Sequence, residues 1–181
     1  MHDIQIRLIE AKDYQQLFEV IERNRARLLQ FFPETSQSII DVDTAINFTH
    51  LKMKLALKRE QFFFVIVLMG KSEIIGSVIL KNINWNVPKG ELAYFIDGDY
   101  EGKGITTFAV RWLVNHAFKQ LQMEKLFIKV NPYNYGSRKI AMKNGFELEG
   151  LLKREFRTGK GELTDVERYG LINGKDKILE V

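Results

Sequence analysis

The segment that most constrains the fold is residues 62–80, where two β-rich runs, FFFVIVLM at 62–69 and IIGSVIL at 74–80, are separated only by Gly70-Lys71-Ser72-Glu73. Glycine and small polar residues provide the turn conformations that β-branched and aromatic residues avoid, so this stretch predicts a hairpin. The first run is also the longest apolar stretch in the chain. It falls far short of the roughly 20 residues needed to cross a bilayer. A soluble protein built around a sheet is expected.

On either side of the hairpin the hydrophobic period changes. Ile4, Ile6 and Leu8 alternate with Gln5, Arg7 and Ile9, which predicts a short opening strand. Asp13 reads as an N-cap, and Leu17, Phe18, Val20, Ile21, Leu28 and Leu29 follow a mostly helical period that Pro33 stops. A second helix begins near Asp41 or Asp43, carries Ile46, Leu51, Met53 and Leu57, and runs into Lys58-Arg59-Glu60. After the hairpin come a strand over 91–96, an amphipathic helix with Phe108, Trp112, Leu113, Ala117 and Leu121, and a strand over 126–130. A short helix over 135–143 ends at Gly145, and strands over about 146–156 and 163–172 turn at Gly159-Lys160-Gly161. The order is β-α-α-β-β-β-α-β-α-β-β. It predicts an α/β architecture with a mixed, mainly antiparallel sheet of about seven strands flanked by about four helices.

Composition narrows the function. With 181 residues, 45% of them hydrophobic, and no repeat or linker, residues 1–181 read as one domain with a full-sized core. Lys plus Arg number 27 against 23 Asp plus Glu, a net charge of +4 that is mildly basic and does not by itself indicate a nucleic-acid partner. The absence of cysteine excludes disulfides, thiolate metal ligands and a cysteine nucleophile. His2, His50 and His116 show no ligand spacing, so no metal is expected. Asp3, Arg7 and Glu10 interrupt any apolar leader, which points to a cytoplasmic protein. Trp85, Trp112 and Phe62-Phe63-Phe64 read as core, not as a base-stacking platform. Lys153-Arg154 and Arg157 flank a turn and read as edge protection.

Two strand-to-helix junctions carry the chemistry. In Glu101-Gly102-Lys103-Gly104-Ile105-Thr106-Thr107 the glycines let the backbone turn tightly, and the first turn of the helix offers unpaired N–H groups to an anion, most naturally a phosphate. The plain alternative is a tight connection and nothing more. A dinucleotide fingerprint would need glycine at Thr107, and a Walker-type loop ending at Gly70-Lys71-Ser72 would need glycine at Val65. In the second junction, 130–137, Asn134 is placed to cap a helix that carries Ser137 one turn in.

Together these residues resemble the GNAT N-acetyltransferase superfamily. Glu101 to Thr106 is similar to its (Gln/Arg)-x-x-Gly-x-(Gly/Ala) loop, and Asn131-Pro132-x-Asn134-x-x-Ser137 through Lys143-Asn144-Gly145-Phe146 resembles its next signature. The stretch 90–96, Leu148-Glu149-Gly150 and Asp165-x-x-x-Tyr169 resemble the branch that acetylates the N-termini of ribosomal proteins. The resemblance implies acetyl-CoA, with its pyrophosphate on the backbone of Gly102, Lys103, Gly104, Ile105 and Thr106. It also implies a pantetheine arm paired with Phe95, Ile96 and Asp97, and Asn131 and Asn134 hydrogen-bonded to that arm. Glu101 and Thr106 depart from the pattern and place a carboxylate and a larger side chain beside the expected pyrophosphate.

The implied chemistry is aminolysis of a thioester, which needs a proton acceptor for the amine, N–H groups for the oxyanion and a donor for the departing thiolate. Backbone near Phe95 is the oxyanion candidate, and Ser137 the donor, with Tyr133 or Tyr135 as the fallback. For the base, Glu91 is preferred slightly over Glu155, and Lys129 stands where some relatives have a glutamate. The acceptor is expected to be a protein N-terminus, as of a ribosomal protein. The alternatives are a small amine (a polyamine, aminoglycoside or amino acid) or a non-catalytic acyl-CoA-sensing or ribosome-docking module. Segments 35–40 and 82–89, expected to form the acceptor pocket, contain Lys89 and no carboxylate, which weighs against a polycation. No membrane partner or nucleic-acid substrate is expected, and self-association is left open.

Overall fold

A computed structural model describes residues 3–174. Strand β1 (Ile4–Leu8) leads through a short 3-10 turn into helices α1 (Tyr14–Arg23), α2 (Arg25–Phe31), α3 (Pro33–Ser38) and α4 (Val42–Leu57). Then come β2 (Phe62–Leu68), β3 (Glu73–Asn84), β4 (Lys89–Ile96), α5 (Ile105–Lys119), β5 (Lys125–Val130), α6 (Tyr135–Lys143), β6 (Glu147–Arg157) and β7 (Leu163–Ile172). The seven strands form one sheet in the order β1-β2-β3-β4-β5-β7-β6. Every neighbouring pair is antiparallel except β4 and β5. The fold class is the one expected from the sequence.

Both sheet faces are covered, which explains the unbroken apolar run of β2. Phe62, Phe64 and Ile66 join the core under α5, whereas Phe63, Val65 and Val67 join the core with α1 and α4. Side chains alternate faces along a strand, so a strand between two helical layers must be apolar at every position.

The helical stretch before β2 is more divided than its period suggests. Asn24 breaks α1 from α2 and Phe32, at φ −141° and ψ 47°, breaks α2 from α3. Pro33 ends one helix and opens the next from its first position, where the missing N–H has no partner to lose. Asp13 precedes α1, but its side chain does not cap it. Its carboxylate takes a bidentate pair from Arg7 at 2.7 and 2.8 Å and the N–H of Glu10 at 2.8 Å. Asp41 does cap α4, accepting from Thr44 N–H at 2.8 Å. Trp85 is not core. It is 38% exposed, donates to the Arg59 carbonyl at 3.0 Å and lies under the Arg59 guanidinium. Trp112 is half-buried, stacked on His116 and edge-on to Phe64.

What positions the site is the seam between β4 and β5. The two strands pair at Lys89 with Lys125, Gly90 with Leu126 and Glu91 with Phe127, and then diverge. Among the described residues no helix is long and apolar enough to cross a membrane.

Candidate active site

The divergence opens a cleft of about 840 Å³ between β4 and β5, closed at its ends by α2 and α3 on one side and by the α5 and α6 junctions on the other. Its first wall is the free edge of β4. The Asp97 N–H donates to Ile75 of β3 at 2.7 Å, and the Phe95 carbonyl is turned so directly at Gly76 that a Cβ there would strike it. Successive residues of a strand present their backbone groups to opposite sides, so Phe95 and Asp97 face β3, whereas Tyr94 and Ile96 face the opening. Two contacts agree. Pro88, of the same parity, accepts from Lys125 at 3.1 Å on the β5 side, and Arg27 donates to the Ile96 carbonyl.

This corrects the assignment of Phe95 and Asp97 as backbone partners. Phe95 packs its ring 5.5 Å from that of Phe32. Asp97 is buried, with its carboxylate on Arg23 Nε at 2.5 Å and its carbonyl accepting from Tyr100 at 2.9 Å. Of the three strand residues named from the sequence, Ile96 alone presents its backbone to the cleft, and Tyr94 joins it.

At the next turn, Gly102 and Gly104 adopt φ +71° and +78°, the left-handed region that L side chains rarely enter. Gly104 is the N-cap of α5 and supplies no side-chain cap, so the first N–H groups of the helix have no protein side chain on them. Nothing lies within 4 Å of where a Cβ would stand at either glycine. Gly102 and Thr106 border the cleft, Ile105 is buried in the core, and Lys103 lies over the Tyr100 ring. Glu101 is ion-paired with Arg27, which reaches across from α2 and also donates to Asn24 at 2.9 Å. The carboxylate that departs from the motif is thereby neutralised by an arginine from a distant element.

The second junction is built from its own side chains. Asn131 Oδ1 accepts the Tyr133 N–H at 3.0 Å, and Asn134 Oδ1 accepts the Ser137 N–H at 3.0 Å. This leaves the amide N–H groups of both asparagines without a role in the turn and holds the first turn of α6 in place. Ser137 Oγ lies 2.8 Å from the Tyr94 hydroxyl. Burial pushes the Tyr94 phenol up to about 12, so it stays protonated at neutral pH. Tyr133 and Tyr135 are largely exposed.

The two candidate bases differ. Glu91 is 7% exposed, accepts from Asn82 Nδ2 at 2.9 Å and has Lys81 Nζ 3.9 Å away. Glu155 is exposed at the cleft rim and bound to Lys129 at 2.6 Å; that hydrogen bond and the lysine's charge hold its carboxyl below the usual carboxylate range. Among the described residues no cluster of three His, Cys, Asp or Glu could hold a metal ion.

Residues 3–147 match the acetyltransferase (GNAT) domain family. The chain belongs to the GNAT acetyltransferases. The N-acetyltransferase p20 of Bacillus licheniformis is 30% identical over 132 residues, 73% of this chain and 74% of that protein. Spermidine N(1)-acetyltransferase of Escherichia coli K12 is 26% identical over 155 residues, 86% and 78% of the two chains. Among solved structures, ribosomal-protein-S5-alanine acetyltransferase from Vibrio fischeri superposes with a TM-score of 0.89 at 28% identity, covering 98% of this chain and 96% of that one.

Several residues of this acetyltransferase's cleft carry no sequence signal. Arg27, Lys52 and Lys81 line it and belong to no motif, and Tyr94, though inside the stretch 90–96, was given no role there. Tyr94 could have been found from the strand alternation that placed 91–96, because it shares a parity with Ile96. The segments expected to form the acceptor pocket are partly structured instead: residues 35–38 lie in α3 and 82–84 in β3. The charges at that end come from Glu34, Lys52, Lys81 and Glu91, outside both segments.

Proposed function

We propose that this GNAT acetyltransferase acetylates a protein N-terminal α-amine, and that the residues flanking the cleft divide the work as follows. One observation carries the reading: the uncapped start of α5 and the free edge of β4 border one cleft, with the Tyr94–Ser137 hydroxyl pair beside that edge. When bound, acetyl-CoA supplies a thioester whose carbonyl carbon accepts the amine and whose sulfur leaves as a thiolate. The open glycine turn and the first N–H groups of α5 suit its pyrophosphate, since they combine unpaired donors with the positive end of the helix dipole. The free N–H groups of Tyr94 and Ile96 hold the pantetheine arm and the developing oxyanion, in place of Phe95. Asn131 and Asn134 add side-chain N–H donors from the opposite wall.

Glu91 takes the proton from the incoming ammonium. Glu91 is buried and its nearest cation, Lys81, stands 3.9 Å away, whereas Glu155 is already committed to Lys129. Ser137 gives its hydroxyl proton to the thiolate and is reprotonated by the attacking nitrogen, which sheds its second proton as the amide forms. When Tyr94 is the donor in its 2.8 Å contact with Ser137 Oγ, the serine proton is left free for the cleft and the oxygen left behind is supported. An α-amine, with a pKa of about 7.7–8.0, is partly neutral at pH 7 and makes a modest demand on Glu91, unlike an alkylamine near 10.4. Glu91→Gln should therefore flatten the acidic limb of the kcat/KM profile more than Glu155→Gln does, and the reverse ranking exchanges their roles.

A polyamine acceptor is the second reading, favoured by the likeness to a spermidine N(1)-acetyltransferase and by Glu34 and Glu91 at the cleft end. A thiol-release assay compares short N-terminal peptides with spermidine. Higher kcat/KM for a peptide supports the first reading, and higher kcat/KM for spermidine replaces it with the second.

A further inference from the structure

Lys52 is the least expected group in the cleft wall. It lies on α4, is only 7% exposed and borders the cleft. Its ammonium donates to Gln61 Oε1 at 2.9 Å and sits 4.8 Å from the Phe48 ring centroid. Among the described residues no carboxylate is within ion-pair distance of it; burial lowers its pKa, the more distant charge of Glu34 opposes that shift, and Lys81 adds to it. An ammonium carries three donors, and an amide oxygen with a ring face satisfies them incompletely. A buried charge of this kind is costly unless an opposite charge reaches it.

Lys81, on β3, lies beside it. Its Nζ is 3.3 Å from Glu34 and 3.9 Å from Glu91. Glu34 is 69% exposed, so that contact is easily exchanged for another. In the β3–β4 register Lys81 faces Glu91, five residues along the strand from Ile96. At about 3.3 Å per residue, this end of the cleft is roughly 16 Å from Ile96, where β4 gives way to the loop that leads to the glycine turn. The lysine pair therefore belongs to the acceptor's end of the cleft and not to the phosphates.

We propose that Lys52, with Lys81 beside it, is an anion subsite that selects acceptors carrying a carboxylate within a few residues of the amine, so that an acidic N-terminal peptide is the favoured class. The inference rests on the cleft being the acceptor groove of an acetyl-CoA-dependent N-acetyltransferase. A carboxylate entering here gives Lys52 the counter-ion it lacks, by a charge-assisted hydrogen bond stronger than the one from Gln61. A polyamine entering here brings further positive charge against two ammonium groups and leaves Lys52 unanswered.

The test uses N-terminal peptides identical except for Glu or Gln at the second, third or fourth position, with kcat/KM measured for each on the intact protein. The expected result is at least one position at which Glu exceeds Gln by about tenfold or more. Lys52→Met should bring that ratio to about one, and Lys52→Arg should keep most of it. Lys81→Gln provides an independent variant should Lys52→Met melt too low to assay. Peptide turnover with Glu and Gln equal at every position overturns the subsite and leaves the N-acetyltransferase reading standing. A preference that persists in both Lys52→Met and Lys81→Gln also overturns it. Acetylation of spermidine ahead of every peptide overturns the subsite and the peptide reading together.

Discussion

The two strand-to-helix junctions that flank the cleft solve the same problem in opposite ways. Both begin helices whose first N–H groups have no intrahelical partner. At α6 the chain satisfies them itself: Asn134 accepts from Ser137 N–H, and Asn131 folds the turn that delivers Asn134. At α5 it does not, because a left-handed glycine occupies the cap and offers no side chain. A glycine cap costs a helix only about a few tenths of a kcal/mol against a side-chain cap, so the α5 start can stay open at little expense in stability. The capped junction holds a hydroxyl still, and the uncapped one is, on the proposed function, where an anion docks.

The largest expected effect breaks the capped side. Ser137→Ala removes the hydroxyl but keeps the backbone N–H that Asn134 caps, so the helix start survives and turnover should fall by about 10²–10⁴-fold. Single-turnover kinetics check this, and a loss of only a few-fold makes Ser137 a structural residue. On the uncapped side, Gly104→Val puts a β-branched residue at φ +78° and a side chain into space that is empty around the glycine. Acetyl-CoA affinity measured by calorimetry should fall at least about tenfold. Unchanged affinity places the pyrophosphate elsewhere.

A smaller effect comes from the Arg27–Glu101 pair beside that junction. Arg27→Gln should weaken acetyl-CoA binding by about fivefold by exposing the Glu101 carboxylate to the phosphates, and adding Glu101→Gln should restore it. A double variant no better than Arg27→Gln alone assigns the loss to the hydrogen bonds Arg27 makes with Ile96 and Asn24. The smallest effect sharpens the contrast: Asn134→Ala should cost about 1 kcal/mol of stability in denaturant unfolding. No change there would leave the α6 start indifferent to its cap.

What was legible in the sequence was local. The hairpin, both junctions, the helix start near Asp41 and the cap at Asn134 depend on residues within a turn of one another, and each is formed where the pattern placed it, whereas the cap expected of Asp13 is lost to Arg7. What was not legible depends on pairing across the chain. Whether Phe95 or Tyr94 offers its N–H to the cleft is decided by the register of β4 on β3, which a one-residue shift would reverse. Arg27 and Glu101 meet because α2 packs over the end of β4, and nothing near either residue announces the other. The same holds for Lys52, which the fold sets against Gln61 and Phe48. Trp85 failed as a core residue for a related reason: its partner, the Arg59 carbonyl, lies in the turn after α4.

The three residue pairs joining β4 to β5 have one more consequence. They make the sheet two plates riveted at one end, with the remaining rungs of the ladder missing. Any amide-bearing chain that slides into the gap supplies rungs the polypeptide itself never encodes. If the cleft is filled in this way, occupancy and rigidity become one quantity, and a ligand that completes the sheet raises the melting temperature above that of the free protein.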